Sequence, residues 1–235
     1  MYMKTRPPVS APAYLLLGVL SLLLFATLLL GDSWMLPRLV TVWSPSSNYV
    51  AQVTTGSGGY FGDYERAITN RERNASAIVS RCPAPSITNV VWSGKLINPV
   101  APVEVYVSDG GYLVTMDNWH EVGYGAVVAI YNPTGRLLRH WSLQELFKPE
   151  ELLRLTHSVS SIWWHSAKAY FVGGTETNAL VVPAVGKEFV FGLTDGTLLM
   201  SIDSGTRTNA GGAINRSPPI RSETNRSLPA AGSRR

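Results

Sequence analysis

The chain is short of charge and of cysteine. Charged residues fill only 15% of its 235 positions. An ordinary soluble domain carries roughly 25%, so a highly charged disordered chain, a long coiled coil and a histone-like DNA binder are all excluded. The single cysteine, Cys82, rules out an intrachain disulfide framework and any multi-cysteine zinc or iron–sulfur site. The chain also lacks a Gly-x-Ser-x-Gly elbow and paired histidines four apart. Gly56-Ser57-Gly58-Gly59 has no Lys-Ser/Thr ending, so it reads as a flexible loop and not a phosphate cradle. A basic face is missing too. From Arg207 onward six arginines oppose only Glu223, whereas residues 1–206 carry 14 basic and 15 acidic groups. The net charge of +4 therefore belongs to the tail, and a nucleic-acid partner is not expected.

What the chain has in excess is leucine near its start. Tyr14 to Gly31 are 18 residues without a charge, enough helix to cross roughly 30 Å of hydrocarbon. Tyr14, Leu17, Leu20, Leu24 and Leu28 mark the expected anchor. A cleaved signal peptide is the competing reading, but its apolar core runs about 7–15 residues and ends in a small-residue pattern. Here the run is longer and closes on Leu28-Leu29-Leu30-Gly31-Asp32. Lys4 and Arg6 precede it and Asp32 follows, which keeps the N-terminus in the cytoplasm. The expected organisation is a cytoplasmic N-terminus (1–13), a signal anchor (14–31), an extracytoplasmic β domain (32–206) and a basic disordered tail (207–235).

The β expectation rests on eleven short runs of β-branched and aromatic residues. They are Val40–Trp43, Tyr49–Val53, Ile87–Trp92, Val103–Val107, Leu113–Met116 and Ala126–Tyr131. Leu137–Trp141, Ala169–Val172, Leu180–Val182, Phe189–Leu193 and Leu198–Ile202 follow. Turn residues such as Asp109-Gly110-Gly111 and Pro133-Thr134-Gly135 separate them. Ala126–Tyr131 is apolar on both faces, which places it inside a sheet covered on both sides. A weak repeat aligns Val42–Ala51 with Val105–Val114 at an offset of 63, and Phe191–Leu199 is a looser third copy. Each resembles a propeller-blade hairpin. Eleven strands fall short of three four-stranded blades, so blade-like hairpins in an antiparallel sheet or sandwich are expected, not a closed ring. Two short helices interrupt them. Ser142 and Glu145 have capping-box spacing, and Pro149 with Glu150 and Glu151 opens a second helix running to Leu155.

The segment Val105–Trp164 resembles a group of uncharacterised bacterial envelope proteins. The residues that carry the likeness are Ser108-Asp109-Gly110-Gly111-Tyr112, Asp117-Asn118-Trp119-His120, Gly123-Tyr124-Gly125, Ile130-Tyr131-Asn132-Pro133-Thr134-Gly135 and Ser158-Val159-Ser160-Ser161-Ile162-Trp163-Trp164. The resemblance implies a bacterial extracytoplasmic β domain. It implies no activity.

Asp117-Asn118-Trp119-His120-Glu121 is the densest polar and aromatic cluster. Asp117 could orient His120 as a base, or Asp117, His120 and Glu121 could hold a metal. On an extended chain His120 and Glu121 point to opposite faces, so a structural turn is the better reading. No catalytic, cofactor-binding or metal residue is therefore assigned. Asp109, Asp195 and Asp203 read as turn carboxylates rather than calcium ligands. Asn74, Asn215 and Asn225 lie in glycosylation sequons, which matter only in a host that uses them. Seven tryptophans have two readings: core and membrane-proximal packing, or an interface for a partner protein or a sugar ring. The interface candidates are Trp34, Trp119, His120, Tyr124, Trp163 and Trp164, with one ring of the last pair on each face of a strand.

These features point to a non-enzymatic accessory or structural subunit of a bacterial membrane complex. One helix anchors it, and its β domain docks on integral-membrane subunits outside the cytoplasm. The lipid bilayer is a second partner, and the basic tail reads first as a solvated end, with anionic lipid or an acidic partner as the alternative. The alternatives are an anchored glycan- or peptide-binding module and an envelope hydrolase, the latter needing His120 or His157 to meet an acid and a nucleophile.

Overall fold

Turn chemistry divides the chain into three successive meanders. The computed structural model describes residues 34–58, 64–84, 87–173 and 178–203. The first sheet is β1 (Val40–Trp43), β2 (Tyr49–Thr54), β3 (Ser76–Ala84) and β4 (Ile87–Lys95); the second is β5 (Pro102–Val107), β6 (Leu113–Asn118), β7 (Val128–Tyr131) and β8 (Leu137–Trp141). After the two-residue pair β9 (Thr156–His157) and β10 (Ile162–Trp163), the third sheet is β11 (Tyr170–Gly173), β12 (Asn178–Ala184), β13 (Lys187–Gly192) and β14 (Leu198–Asp203). Each four-stranded sheet is antiparallel, with its strands side by side in sequence order. Three short helices, α1 (Tyr64–Thr69), α2 (Leu143–Leu146) and α3 (Pro149–Leu152), complete the described residues. The domain is mainly β. Among the described residues no helix is long and apolar enough to cross a membrane. The expected anchor at 14–31 and the tail from 207 lie outside the described residues.

All eleven expected strands are present, and β3, β9 and β10 join them. The arithmetic that stopped short of three four-stranded units is thereby corrected, because β3 supplies the missing strand. Its core positions are Ala77 and Val79, flanked by Ala75, and small residues carry little strand signal. They are what the packing needs. Ala51, Ala75, Ala77 and Ala129 line the layer between the first and second sheets, where Trp92 and Tyr131 stack at 6.4 Å.

The second sheet is the centre of the molecule. Val128 and Ile130 of β7 face the layer shared with the third sheet, while Ala129 and Tyr131 face the layer shared with the first. All four are buried, as the apolar character of both faces requires. The capping box also forms: the Ser142 N–H donates to the Glu145 carboxylate at 2.8 Å and opens α2. α3 ends at Leu152, shorter than expected, with Leu153 as its cap. The Lys148 N–H donates to Glu151 in the same way, at 2.8 Å.

The repeat is real but shifted. Tyr49 N–H donates to Ser44 Oγ, and Tyr112 N–H to Ser108 Oγ, both at 3.1 Å. The backbone closes each turn again from Ser44 to Tyr49 and from Ser108 to Tyr112. Ser44 thus corresponds to Ser108, with one extra residue in the first turn. The two turns touch, since Ser46 donates to Asp109 through its N–H (2.9 Å) and its hydroxyl. The third copy, around Asp195-Gly196, is instead the last hairpin of its sheet, and it matches the Asn132–Arg136 turn of the second. A second regularity was not expected. Every sheet carries one extra residue at the same place on its fourth strand, opposite Val79/Ser80, Ile130/Tyr131 and Val190/Phe191.

Gly56 and Gly58 do not form the free loop expected of them. Gly56 N–H donates to the Val100 carbonyl at 2.7 Å, and Gly58 N–H to the Pro99 carbonyl at 3.2 Å. A Cβ on Gly56 would sit 2.4 Å from the Asn74 backbone. The glycines here serve close approach.

Candidate functional site: the Asp117 corner

The β6–β7 connection folds back on itself around Asp117. Its backbone is left-handed (φ 56), a conformation that Asp tolerates better than most residues. The side chain is fully buried, and its oxygens collect donors from three directions. Gly123 N–H and Trp164 Nε1–H each donate to Oδ1 at 2.9 Å, while His165 Nε2 lies 3.2 Å from Oδ2. A buried carboxylate is tolerable only with such company. Gly123 has φ +83, and a Cβ there would lie 2.6 Å from the Ile162 carbonyl. The corner therefore needs glycine at that point.

The neighbouring Asn118 and Asn98 tie the corner together. Asn118 Nδ2 donates to the Tyr124 carbonyl at 2.9 Å, and Asn98 Nδ2 donates to Asn118 Oδ1 at 3.0 Å. Tyr64, at the start of α1, donates its hydroxyl to Glu121. Burial, with Glu121 beside it, pushes the Tyr64 phenol well above its ordinary range, so it stays a donor.

His165 decides what this arrangement can do. Burial works against its charged form, yet the hydrogen bond and charge of Asp117, the charge of Glu104 and a bond to the Ala167 backbone outweigh it. The pKa is held above the ordinary histidine value. The ring faces Asp117 and the Ala167 backbone, so its polar edge is already taken up by the protein. His165 is therefore suited to hold the charge of Asp117, and its geometry does not suit a general base.

Trp34, Trp119 and His120 are brought together. The Trp34 ring stacks on His120 with centroids 5.7 Å apart and meets Trp119 edge-on at 6.2 Å. Trp119 Nε1–H donates to the Met35 carbonyl at 3.1 Å. The segment leading into β1 is thus strapped onto the corner by aromatic contact. Beside it Met35 and Leu36 are exposed, 78% and 84%. Tyr124 and Trp163 keep part of their rings at the surface, whereas Trp164 is buried as a donor to Asp117. The alternation of the pair holds, and Trp163 alone is available outside.

His120 does not pair with Asp117; His165, 48 positions along, does. No local spacing signals that contact. Its sole hint is adjacency to Trp164. Of the turn carboxylates, Asp195 accepts from Thr197 N–H at 3.0 Å and Asp109 from Ser46 N–H at 2.9 Å, whereas Asp203 ends β14 opposite Lys187 and is not in a turn. The Asn74 sequon is closed, since its Nδ2 donates to the Ala67 and Leu96 carbonyls at 2.7 and 2.9 Å. Among the described residues no group of three metal-type side chains converges. No protein-family model matches the chain, and no curated protein matches it.

Proposed function

We propose that the chain is a non-enzymatic accessory or structural subunit of a bacterial membrane complex. In this reading residues 14–31 anchor it, the β domain lies outside the cytoplasm, and its aromatic corner faces the partner subunits. The three meanders are blades of a propeller-like array. The observation that carries the proposal is the strap. Trp34, three residues after the expected anchor ends at Gly31, is seated on Trp119 and His120, so little free linker separates domain and bilayer. Exposed Met35, Leu36 and Trp163 then lie where a membrane partner is within reach. The saturated bonding of Asp117 and His165 supports a structural use of the one buried acid–histidine pair in the corner.

The test is extraction of the native protein in mild detergent, followed by mass spectrometry of what co-purifies. Stoichiometric recovery with integral-membrane subunits is expected. Recovery without partners, or from the soluble fraction, overturns the reading.

A further inference from the structure

We propose that two copies of the chain join end to end and close a ring of six sheets. The inference is independent of the subunit reading and rests on the internal repeat.

Within the chain each sheet packs its forward face on the back of the next, with positions set by the shared extra residue. Trp92 and Arg139 are equivalent by that register, as are Gly135 and Gly196. A Cβ on Gly135 would meet the Trp92 ring at 2.7 Å, and one on Gly196 would meet Arg139 Cβ at 2.8 Å. The same joint is therefore made twice. The aromatics follow it: Tyr131 and Phe191 are equivalent, and each turns back toward the preceding sheet.

The pattern does not stop at the third sheet. Its forward face carries Tyr170, Val172, Val181, Val190, Met200 and Ile202, read from the strand register. Met200, the equivalent of Trp92 and Arg139, is 52% exposed. The end of a stacked array is normally polar outside. This one is mainly apolar, with Glu188 beside Ile202 as its acid and Val181 buried at its centre. At the other end, the back of the first sheet carries the row Trp43–Val50–Ser80–Val90. Trp43 and Val90, at the two rims of the row, are 48% and 65% exposed, while Val50 and Ser80 between them are buried.

A second copy supplies the matching surface for both ends at once. Head-to-tail contacts that close after two copies form a two-fold ring. The three four-stranded sheets of the described residues fall below the four to eight blades of closed propellers, and six fall within that range. A two-fold axis along the ring also puts both N-termini on the same side, so two anchors can enter one membrane.

In the joint, Met200 of one copy meets the position equivalent to Gly135 and Gly196 in the other, which is Thr88. The test uses the full-length protein in detergent with Cys82→Ser as background. Met200→Cys with Thr88→Cys is expected to form an oxidised species of twice the 25.6 kDa chain mass, and neither single variant should. Light scattering of the unmodified chain should show the same doubled mass, reduced to the single-chain mass by Met200→Lys or by Val90→Lys. Both substituted side chains are exposed, so folding is spared. A monomeric unmodified chain overturns the proposal. So does a cross-link in the Met200→Cys single variant, which would mean like faces meet.

Discussion

The two layers between the sheets do the same job with different materials. Between the first and second sheets five alanines, Ala51, Ala75, Ala77, Ala126 and Ala129, share the space with Trp92, Tyr131 and aliphatic side chains such as Val79, Leu96 and Leu113. Between the second and third, Phe189, Phe191, Phe147 and Trp164 join the aliphatic side chains, and the Asp117–His165 pair lies at the edge. The backbone repeat is common to both, down to the extra residue on each fourth strand. What differs is how much connecting chain must be housed. Residues 96–101 join the first two sheets and α1 reaches their layer through Ile68, whereas α2, α3, β9 and β10 intervene in the second. Small residues bring bare sheets close; large rings fill the wider space around inserted helices.

The sharpest way to break this contrast is to remove Asp117. Asp117→Ala leaves His165, the Trp164 indole and the Gly123 N–H without their acceptor, and should cost about 3–5 kcal/mol in urea unfolding. Asp117→Asn, which keeps an oxygen and tolerates the left-handed backbone, should lose less. If both variants match the unmodified chain, the corner is not what holds the second layer.

Next come substitutions of opposite size. Phe189→Ala opens a cavity in the aromatic layer and should destabilise by about 3–5 kcal/mol. Ala77→Leu overfills the alanine layer and should cost about 1–3 kcal/mol. Denaturant midpoints for the reverse-minded pair, Phe189→Leu and Ala77→Gly, sharpen the comparison: both should be milder than their partners.

Much of this was legible in the chain. The both-face apolarity of β7, the capping box at Ser142 and the alternation at Trp163-Trp164 are local patterns, and they survive folding because nothing non-local competes with them. β3 was not legible, since Ala77 and Ser80 fill a tight layer rather than announce a strand. α1 is only six residues, too short for a periodic signal. The Asp117–His165 pair joins elements that meet only when the third sheet docks, so no spacing in sequence encodes it. The Asp117–Glu121 cluster was visible, but its proximity favoured His120 as the partner.

The gentlest perturbation is pH. His165 has its pKa raised in the folded chain, so its contribution to stability is complete below the ordinary histidine value near 6.5. That contribution is lost as pH rises through the folded value. The urea midpoint should therefore fall across this window, and His165→Gln should flatten the fall. An unchanged slope in that variant would assign the dependence to another group.

The in-order meanders have a consequence for how the chain is made. Each strand pairs with the one synthesised just before it, so every sheet can assemble from neighbouring hairpins without waiting for distant sequence. Such local wiring favours rapid folding over the slow search that long-range β pairing demands. A chain delivered N-terminus first can complete its first sheet early. The alanine face of that sheet then stays open until the second sheet emerges to cover it, and that interval is when the nascent protein most needs protection from aggregation.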